Sequence, residues 1–413
     1  MKLTVLGAGR EVGKSAVLME SRNSRILMDY GVKIRPEPPE YAPLPPEKPD
    51  AVVISHAHLD HSGALPRLYG KWKLPAYMTD VTLNLTQLLI EDSIKIAKKE
   101  GYKMPFSEVE LAKAVKQTNT INYGQPFKAG NLNCSLFDAG HIPGSASVLV
   151  KGDKNLLYTG DIHNEPTSLL RGARLPKGVD VLVTESTYAG RNRVPREKEE
   201  EKLIESVEEV IAEGETALIP AFAVGRAQEV LLLLEKYAKY IALDGMAKKA
   251  TGIVSSHGHR IKDAKKLQGV LDKIMWVRSE KGRAAAMKNR PIILSSAGML
   301  SGGPIISYLR RIADDKEARI MFTGYLVEDS PGWGVLNNKV YNNEGEKFDI
   351  NCRVEQYELS AHASREGLMR IIEETNPSQV VCVHGDSCEQ FAKEIRKTGR
   401  EAFAPANGET IEL

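Results

Sequence analysis

The run Ser55-His56-Ala57-His58-Leu59-Asp60-His61 constrains this chain more than any other stretch. Imidazoles and a carboxylate crowded this closely are expensive to keep unless something organises them, and this donor set suits a borderline ion such as Zn²⁺. The run follows Ala51-Val52-Val53-Ile54, a short apolar stretch of buried-strand type. On a strand-to-helix loop His56 and His58 project together, while Asp60 and His61 turn toward a second position. For a single histidine, capping the next helix would be the plainer reading; the H-x-H-x-D-H spacing argues against it here.

Further donors recur where strands are expected to end. His141 follows Phe137-Asp138-Ala139-Gly140, Asp161 follows Leu157-Tyr158-Thr159-Gly160, and Asp29 follows Ile26-Leu27-Met28. Each alone is an ordinary turn residue. Taken with the first run, they complete two coordination shells.

A chain of 413 residues is long enough for two domains, and 42% apolar content supports sizeable cores. Cys134, Cys352, Cys382 and Cys388 form no C-x-x-C pair, which argues against a disulfide scaffold and a thiolate zinc site and fits a reducing cytoplasm. The N-terminus turns to glycine and charge too early for a signal peptide, and no apolar run approaches the ~20 residues of a membrane span. The expectation is a cytoplasmic chain without membrane contact.

Short strands are expected at 2–6, 15–20 and 25–29, then a proline-rich connector from Pro36 to Pro49. A helical region follows at 79–118, with strands at 133–138, 146–151, 155–159 and 179–184. The texture then changes. A charged helix at 196–213, apolar along one stripe, precedes an alternation of strands (216–220, 252–255, 291–295, 318–322) and helices (228–240, 305–312), the pattern of a parallel sheet with crossover helices. A strand at 354–359, a helix from Ser364 and a strand at 379–383 close the chain.

The H-x-H-x-D-H run, the later His141, Thr159-Gly160-Asp161 and the early Asp29 resemble the metallo-β-lactamase superfamily. That resemblance implies an αββα sandwich and two Zn²⁺ ions. His56, His58 and His141 would hold one ion, Asp60 and His61 the other, with Asp161 bridging and Asp29 orienting the ligands.

Three more motifs resemble the β-CASP branch, which processes nucleic acids: Thr184-Glu185-Ser186-Thr187-Tyr188, Ser360-Ala361-His362-Ala363-Ser364 and Val383-His384-Gly385-Asp386. Gly225-Arg226-Ala227-Gln228-Glu229 and Ser296-Ala297-Gly298-Met299-Leu300-Ser301-Gly302-Gly303-Pro304 agree, the latter resembling cleavage and polyadenylation factor nucleases more than RNase J. The resemblance implies that Glu185 pairs with His362, that His384 completes the second ion's ligands, and that a histidine at 384 favours RNA over DNA. It implies an α/β β-CASP domain at 190–354, inserted into a metallo-β-lactamase domain made of 1–189 and 355–413.

The expected activity is zinc-dependent hydrolysis of RNA phosphodiester bonds, internal or 5′-to-3′, with Asp60, Glu185 and His362 catalytic. RNA is the expected partner, and a homodimer is left open. A DNA-acting relative, a small-molecule metallohydrolase and a non-catalytic RNA-binding subunit remain alternatives. Net charge is only +2, yet between Gly245 and Arg290 twelve lysines and arginines face only Asp263, Asp272 and Glu280, which suits a phosphate backbone. His257 and His259 in that stretch read as loop residues, not ligands.

One motif is a decoy. Ala8-Gly9-Arg10-Glu11-Val12-Gly13-Lys14-Ser15 satisfies a relaxed P-loop pattern. A P-loop needs a helix starting at Lys-Ser, whereas Ala16-Val17-Leu18-Met19-Glu20 reads as a second strand. The expectation is a hairpin loop bordering the site.

Overall fold

The computed structural model describes residues 1–35, 38–191 and 193–413; Pro36, where the expected connector begins, lies outside the described residues. The chain divides into two compact units, residues 1–166, 170–192 and 362–413 forming one, and 167–169 with 193–361 the other.

The first unit holds two seven-stranded sheets. One runs in the order Thr410–Glu412, Lys2–Gly7, Ala16–Ser21, Ser24–Met28, Ala51–Val53, Ala76–Met78, Thr118–Thr120. The other runs Glu401–Phe403, Gln379–Val383, Val181–Glu185, Asn155–Tyr158, Ala146–Lys151, Leu132–Asp138, Pro126–Ala129. Because strand side chains alternate between faces, the central strands serve two cores. Leu3, Val5, Val17 and Met28 meet Val148, Leu156, Val181 and Val183 between the sheets. On the outer face of the first sheet, Leu18, Leu27 and Val52 pack on Leu65 and Leu68 of the helix Leu65–Tyr69. On the outer face of the second, Leu157, Leu182 and Val380 pack on Leu368 and Ile372 of Arg365–Thr375 and on Phe391 of Cys388–Arg396. The layers are therefore αββα, and burial on both faces is why these strands read as continuous apolar runs.

Ser24–Met28 is parallel to Ala51–Val53, and Asn155–Tyr158, Val181–Glu185 and Gln379–Val383 are mutually parallel. Parallel strands present their carboxyl ends together, which is where α/β folds build sites.

The hairpin expected at residues 8–15 is present: Lys2–Gly7 and Ala16–Ser21 pair antiparallel, with Val5 opposite Val17. Lys14 Nζ reaches Glu40 at 2.6 Å and Glu11 at 3.2 Å.

Three local expectations fail, one of them at 228–240, where the helix Arg226–Leu233 is followed by a 3₁₀ helix at Glu235–Tyr240. The helical region at 79–118 is two helices, Asp80–Glu100 and Glu108–Gln117. Gly101, at φ +78°, ends the first as a left-handed cap, and Ser107 with Glu110 forms a capping box that starts the second. Residues 252–255 are not a strand but part of the helix Ala247–Ser256, which buries Ala247, Ala250, Thr251 and Val254 at helical spacing. The strand of that region is Ile241–Asp244.

The second unit is built on a six-stranded parallel sheet, ordered Met275–Trp276, Ile241–Asp244, Ile292–Ser295, Thr216–Pro220, Ala318–Phe322, Arg353–Gln356. Leu218, Ile293 and Ile320 pack on Ile305, Leu309 and Ile312 of the helix Ile305–Ile312. The charged helix Arg196–Glu213 buries Leu203, Val207 and Val210. Its acidic face is not simply solvated: Glu209 and Glu213 reach the fully buried Arg319 at 2.7 and 3.1 Å, and Glu215 pairs with it as well. Part of the basic stretch is likewise neutralised, since Lys248 and Arg283 pair with Asp244, and Lys266 with Glu235.

Candidate metal centre

Every expected donor lies in the first unit, and all are brought together. One group joins His56, His58, His141 and Asp161; a second joins Asp60, His61, Asp161 and His384; a third joins Asp161, Glu185 and His362. Within each group the ligand atoms lie within 4.8 Å of one another.

Asp161 divides its carboxylate between the first two groups. Its Oδ2 lies 3.5 Å from His56 Nε2 and 3.8 Å from His141 Nε2. Its Oδ1 lies 3.2 Å from His61 Nε2 and 3.1 Å from His384 Nδ1. His141 Nε2 and His58 Nδ1 are 3.2 Å apart, and His384 Nε2 is 3.3 Å from Asp60 Oδ2. The loop carrying Asp161 comes this close because residue 160 is glycine: at φ +57°, a Cβ there would meet Ser55 Cβ at 2.7 Å.

The residues beneath these donors fix their aim. Asp29 Oδ2 accepts from Ser55 Oγ, His61 Nδ1 and Tyr158 OH, each at 2.7 Å, while Oδ1 accepts from Ser55 N at 2.6 Å. A carboxylate can only accept, so Nδ1 of His61 carries a proton and Nε2 turns into the cluster. Thr187 Oγ1 lies 3.3 Å from His384 Nδ1 and donates to the His384 carbonyl. Asp29 and His384 sit at φ +59° and +52°. A left-handed conformation costs a non-glycine residue about 1–3 kcal/mol and persists only where surrounding bonds enforce it. For His384 these include N–H donation to Ala8 O, which ties the 8–15 hairpin loop to the site.

Glu185, the last residue of its strand, is buried and holds both carboxylate oxygens 3.0 Å from His362 Nδ1. Its Oε1 also accepts from Ile162 N at 2.8 Å. Burial opposes charge on His362, but Glu185 and then Asp161 raise its pKa to about 9.

The donors fit a metal ion. His56 Nε2 and Asp161 Oδ1 are buried without a hydrogen-bond partner in the protein, a costly state for polar atoms unless a cation serves both. Burial holds His56 and His58 below the ordinary imidazole pKa, so their lone pairs are available. Around His61, although burial works the other way, the carboxylates of Asp161, Asp60 and Asp29 draw in positive charge.

Ser55, Tyr158, Thr187 and Tyr188 are the participants that sequence reasoning missed as such. Tyr188 places its ring 5.9 Å from that of His362. Tyr158 and Thr187 gain their partners Asp29 and His384 only through pairing that is distant in sequence.

Residues 227–334 match the Beta-Casp domain, and 347–405 the Zn-dependent metallo-hydrolase RNA specificity domain. Residues 1–185 match the anti-Pycsar protein Apyc1. The chain is 36% identical to a probable RNase MJ4 of Methanocaldococcus jannaschii over the full length of both. All of it also aligns with 85% of RNase aCSPSF2 of Saccharolobus solfataricus at 34% identity, and with 71% of transcription termination factor FttA of Pyrococcus abyssi at 36%. A crystal structure of a protein of unknown function from Enterococcus faecalis V583 superposes with TM-score 0.67 at 16% identity, covering 100% of this chain and 99% of that one, a likeness of fold. Fold and site together define a metal-binding hydrolase of the metallo-β-lactamase class. Within that class, the chain belongs to the β-CASP family of metal-dependent ribonucleases, alongside the archaeal members related to cleavage and polyadenylation factors.

Proposed function

We propose that this chain hydrolyses RNA phosphodiester bonds with two zinc ions. His56, His58 and His141 hold one, Asp60, His61 and His384 the other, and Asp161 contributes to both. The division of the Asp161 carboxylate between two sets of imidazoles carries this reading. When bound, the ions supply Lewis acidity at the phosphate and make a water available as nucleophile near neutral pH.

The protein's own groups handle the protons. Asp60, 32% exposed where Asp161 is 2%, takes the proton of the attacking water. Glu185 keeps His362 oriented through Nδ1 and charged near neutral pH. Nε2 of His362 then gives its proton to the departing 3′ oxygen as the P–O bond breaks, leaving a 5′ phosphate on the downstream product.

In this reading, 190–354 is the β-CASP insert within a metallo-β-lactamase domain made of 1–189 and 355–413. Its basic stretch serves the RNA backbone, and Asp29 orients the ligands. A cytoplasmic setting belongs to the same reading, supported by four buried cysteines with free thiols. Among the described residues, no helix is long and apolar enough to cross a membrane. Light scattering would test whether the chain forms a homodimer.

Purified protein assayed on end-labelled RNA, matched DNA and a generic ester, with and without chelator, tests the proposal. RNA should be cut, chelator should stop the reaction, and zinc should restore it. Cleavage of ester or DNA with RNA untouched would overturn it. RNAs with 5′ hydroxyl, monophosphate and triphosphate ends, followed by product length over time, separate internal from 5′-to-3′ cutting.

A further inference from the structure

In the second unit Phe222 and Tyr325 leave 41% and 50% of their surface open to solvent. Phe222 follows the strand Thr216–Pro220, and Tyr325 follows Ala318–Phe322. These strands are parallel neighbours, registered from Thr216 with Ala318 to Leu218 with Ile320. Both rings thus emerge at the carboxyl end of the sheet on adjacent strands, the place where open parallel sheets bind ligands.

Both residues border one small depression, together with the bare backbone of Gly298 and Gly324. Their supports are braced. Phe222 O accepts from Ala227 N at 3.1 Å, Thr323 Oγ1 donates to Pro220 O at 3.3 Å, and Gln356 Nε2 donates to Gly324 O at 2.9 Å. A partly exposed aromatic side chain presents a flat apolar face, so two at the same end of the sheet on a fixed frame suit a flat apolar ligand.

We propose that Phe222 and Tyr325 form a base-stacking subsite for single-stranded RNA, an inference that rests on the ribonuclease reading. Stacking on aromatic rings is sequence-tolerant because every base has a π-face. Glu328 and Asp329, on the same loop as Tyr325, disfavour phosphate there, so the contact is with base faces. Affinity and salt dependence should then separate, since only phosphate contacts set the salt slope.

The test measures binding of a fluorescein-labelled single-stranded RNA to the full chain, with zinc present and catalysis blocked by His362→Ala, across a salt series. Adding Phe222→Ala or Tyr325→Ala should weaken binding about 10-fold or more, with an unchanged salt slope and thermal midpoint. Phe222→Trp should retain affinity and Phe222→Leu should not, because Leu keeps apolarity but loses the π-face. An RNA carrying 2-aminopurine should lose fluorescence on binding the Phe222/Tyr325 parent and regain it with the Ala variants, which reads stacking directly. Equal affinity and equal quenching in parent and Ala variants would overturn the subsite while leaving the ribonuclease reading intact. A wild-type chain that neither binds nor cuts RNA would overturn both.

Discussion

Glu185 and His362 are 177 positions apart in sequence, yet both carboxylate oxygens of Glu185 stand 3.0 Å from His362 Nδ1. The pair ends one strand and opens the return of the chain into the first unit. A buried carboxylate facing one ring nitrogen fixes the tautomer and leaves the other nitrogen to meet substrate.

His362→Ala should lower kcat for RNA cleavage by about 10²–10⁴-fold, the usual worth of a positioned general acid. Zinc content, read by elemental analysis, should stay at the wild-type level. Unchanged cleavage would remove His362 from the mechanism, and lost zinc would make it a ligand instead.

Removing metal should loosen the first unit. Without an ion, the carboxylates and imidazoles around Asp161 keep buried atoms unsatisfied. Dialysis against chelator should lower the thermal midpoint, and added zinc should raise it with concentration, as any ligand specific for the folded state does. Asp161→Ala should abolish that response because one side chain faces both groups. A midpoint indifferent to zinc in the wild type would argue against a metal centre.

Asp29→Ala leaves Ser55 Oγ, His61 Nδ1 and Tyr158 OH without their shared acceptor. Losing a group that orients ligands costs about 10–100-fold in metal affinity. Competition with a zinc chelator of known affinity would read it; wild-type affinity would show that His61 needs no such support.

These long-range supports mark the limit of what the sequence discloses. His56 to His61 follow an apolar strand, and their spacing alone announces a cation. Asp161 and His141 stand out through strand-then-glycine contexts. Tyr158, by contrast, reads as one more buried strand residue, and its bond to Asp29 spans 129 positions. The αββα layering was legible through motif resemblance more than periodicity, because strands buried on both faces lose their alternation. The same ambiguity misassigned Gly252–Ser255: a short apolar run fits strand or helix, and burial at 247, 250, 251 and 254 decides for helix.

Arg319 is the largest fully buried side chain of the molecule and carries Glu215, Glu209 and Glu213 around it. Arg319→Ala removes the cation and a long aliphatic stem while keeping the acids together. Breaking a buried pair costs about 3–5 kcal/mol, and the lower end applies because Glu209 and Glu213 are 59% exposed and solvent screens them. Denaturant unfolding should show the loss with RNA-independent zinc binding by the first unit preserved. Arg319→Met, which keeps the stem, should recover part of it; equal losses in both variants would assign the effect to charge alone.

Asp244 gives a pH signature in the second unit. Its buried carboxylate accepts from Arg283 Nε at 2.8 Å, Tyr308 OH at 3.1 Å and Gly245 N at 2.7 Å, and lies 2.9 Å from Lys248 Nζ. Burial pushes toward protonation, but these partners, Lys248 foremost, hold the pKa below its ordinary 3.8. A lowered folded-state pKa means that the unfolded chain binds the proton first. The stabilisation is therefore complete above 3.8 and drains away as pH falls through the lower folded value. Asp244→Asn should be less stable than wild type by a constant margin from pH 5 to 7, roughly 1–3 kcal/mol for a charged hydrogen-bond network. That margin should shrink below about pH 4 as the wild-type carboxylate is neutralised. Urea titrations of both proteins across this range would read it, and a margin that widened toward acid would contradict the assignment.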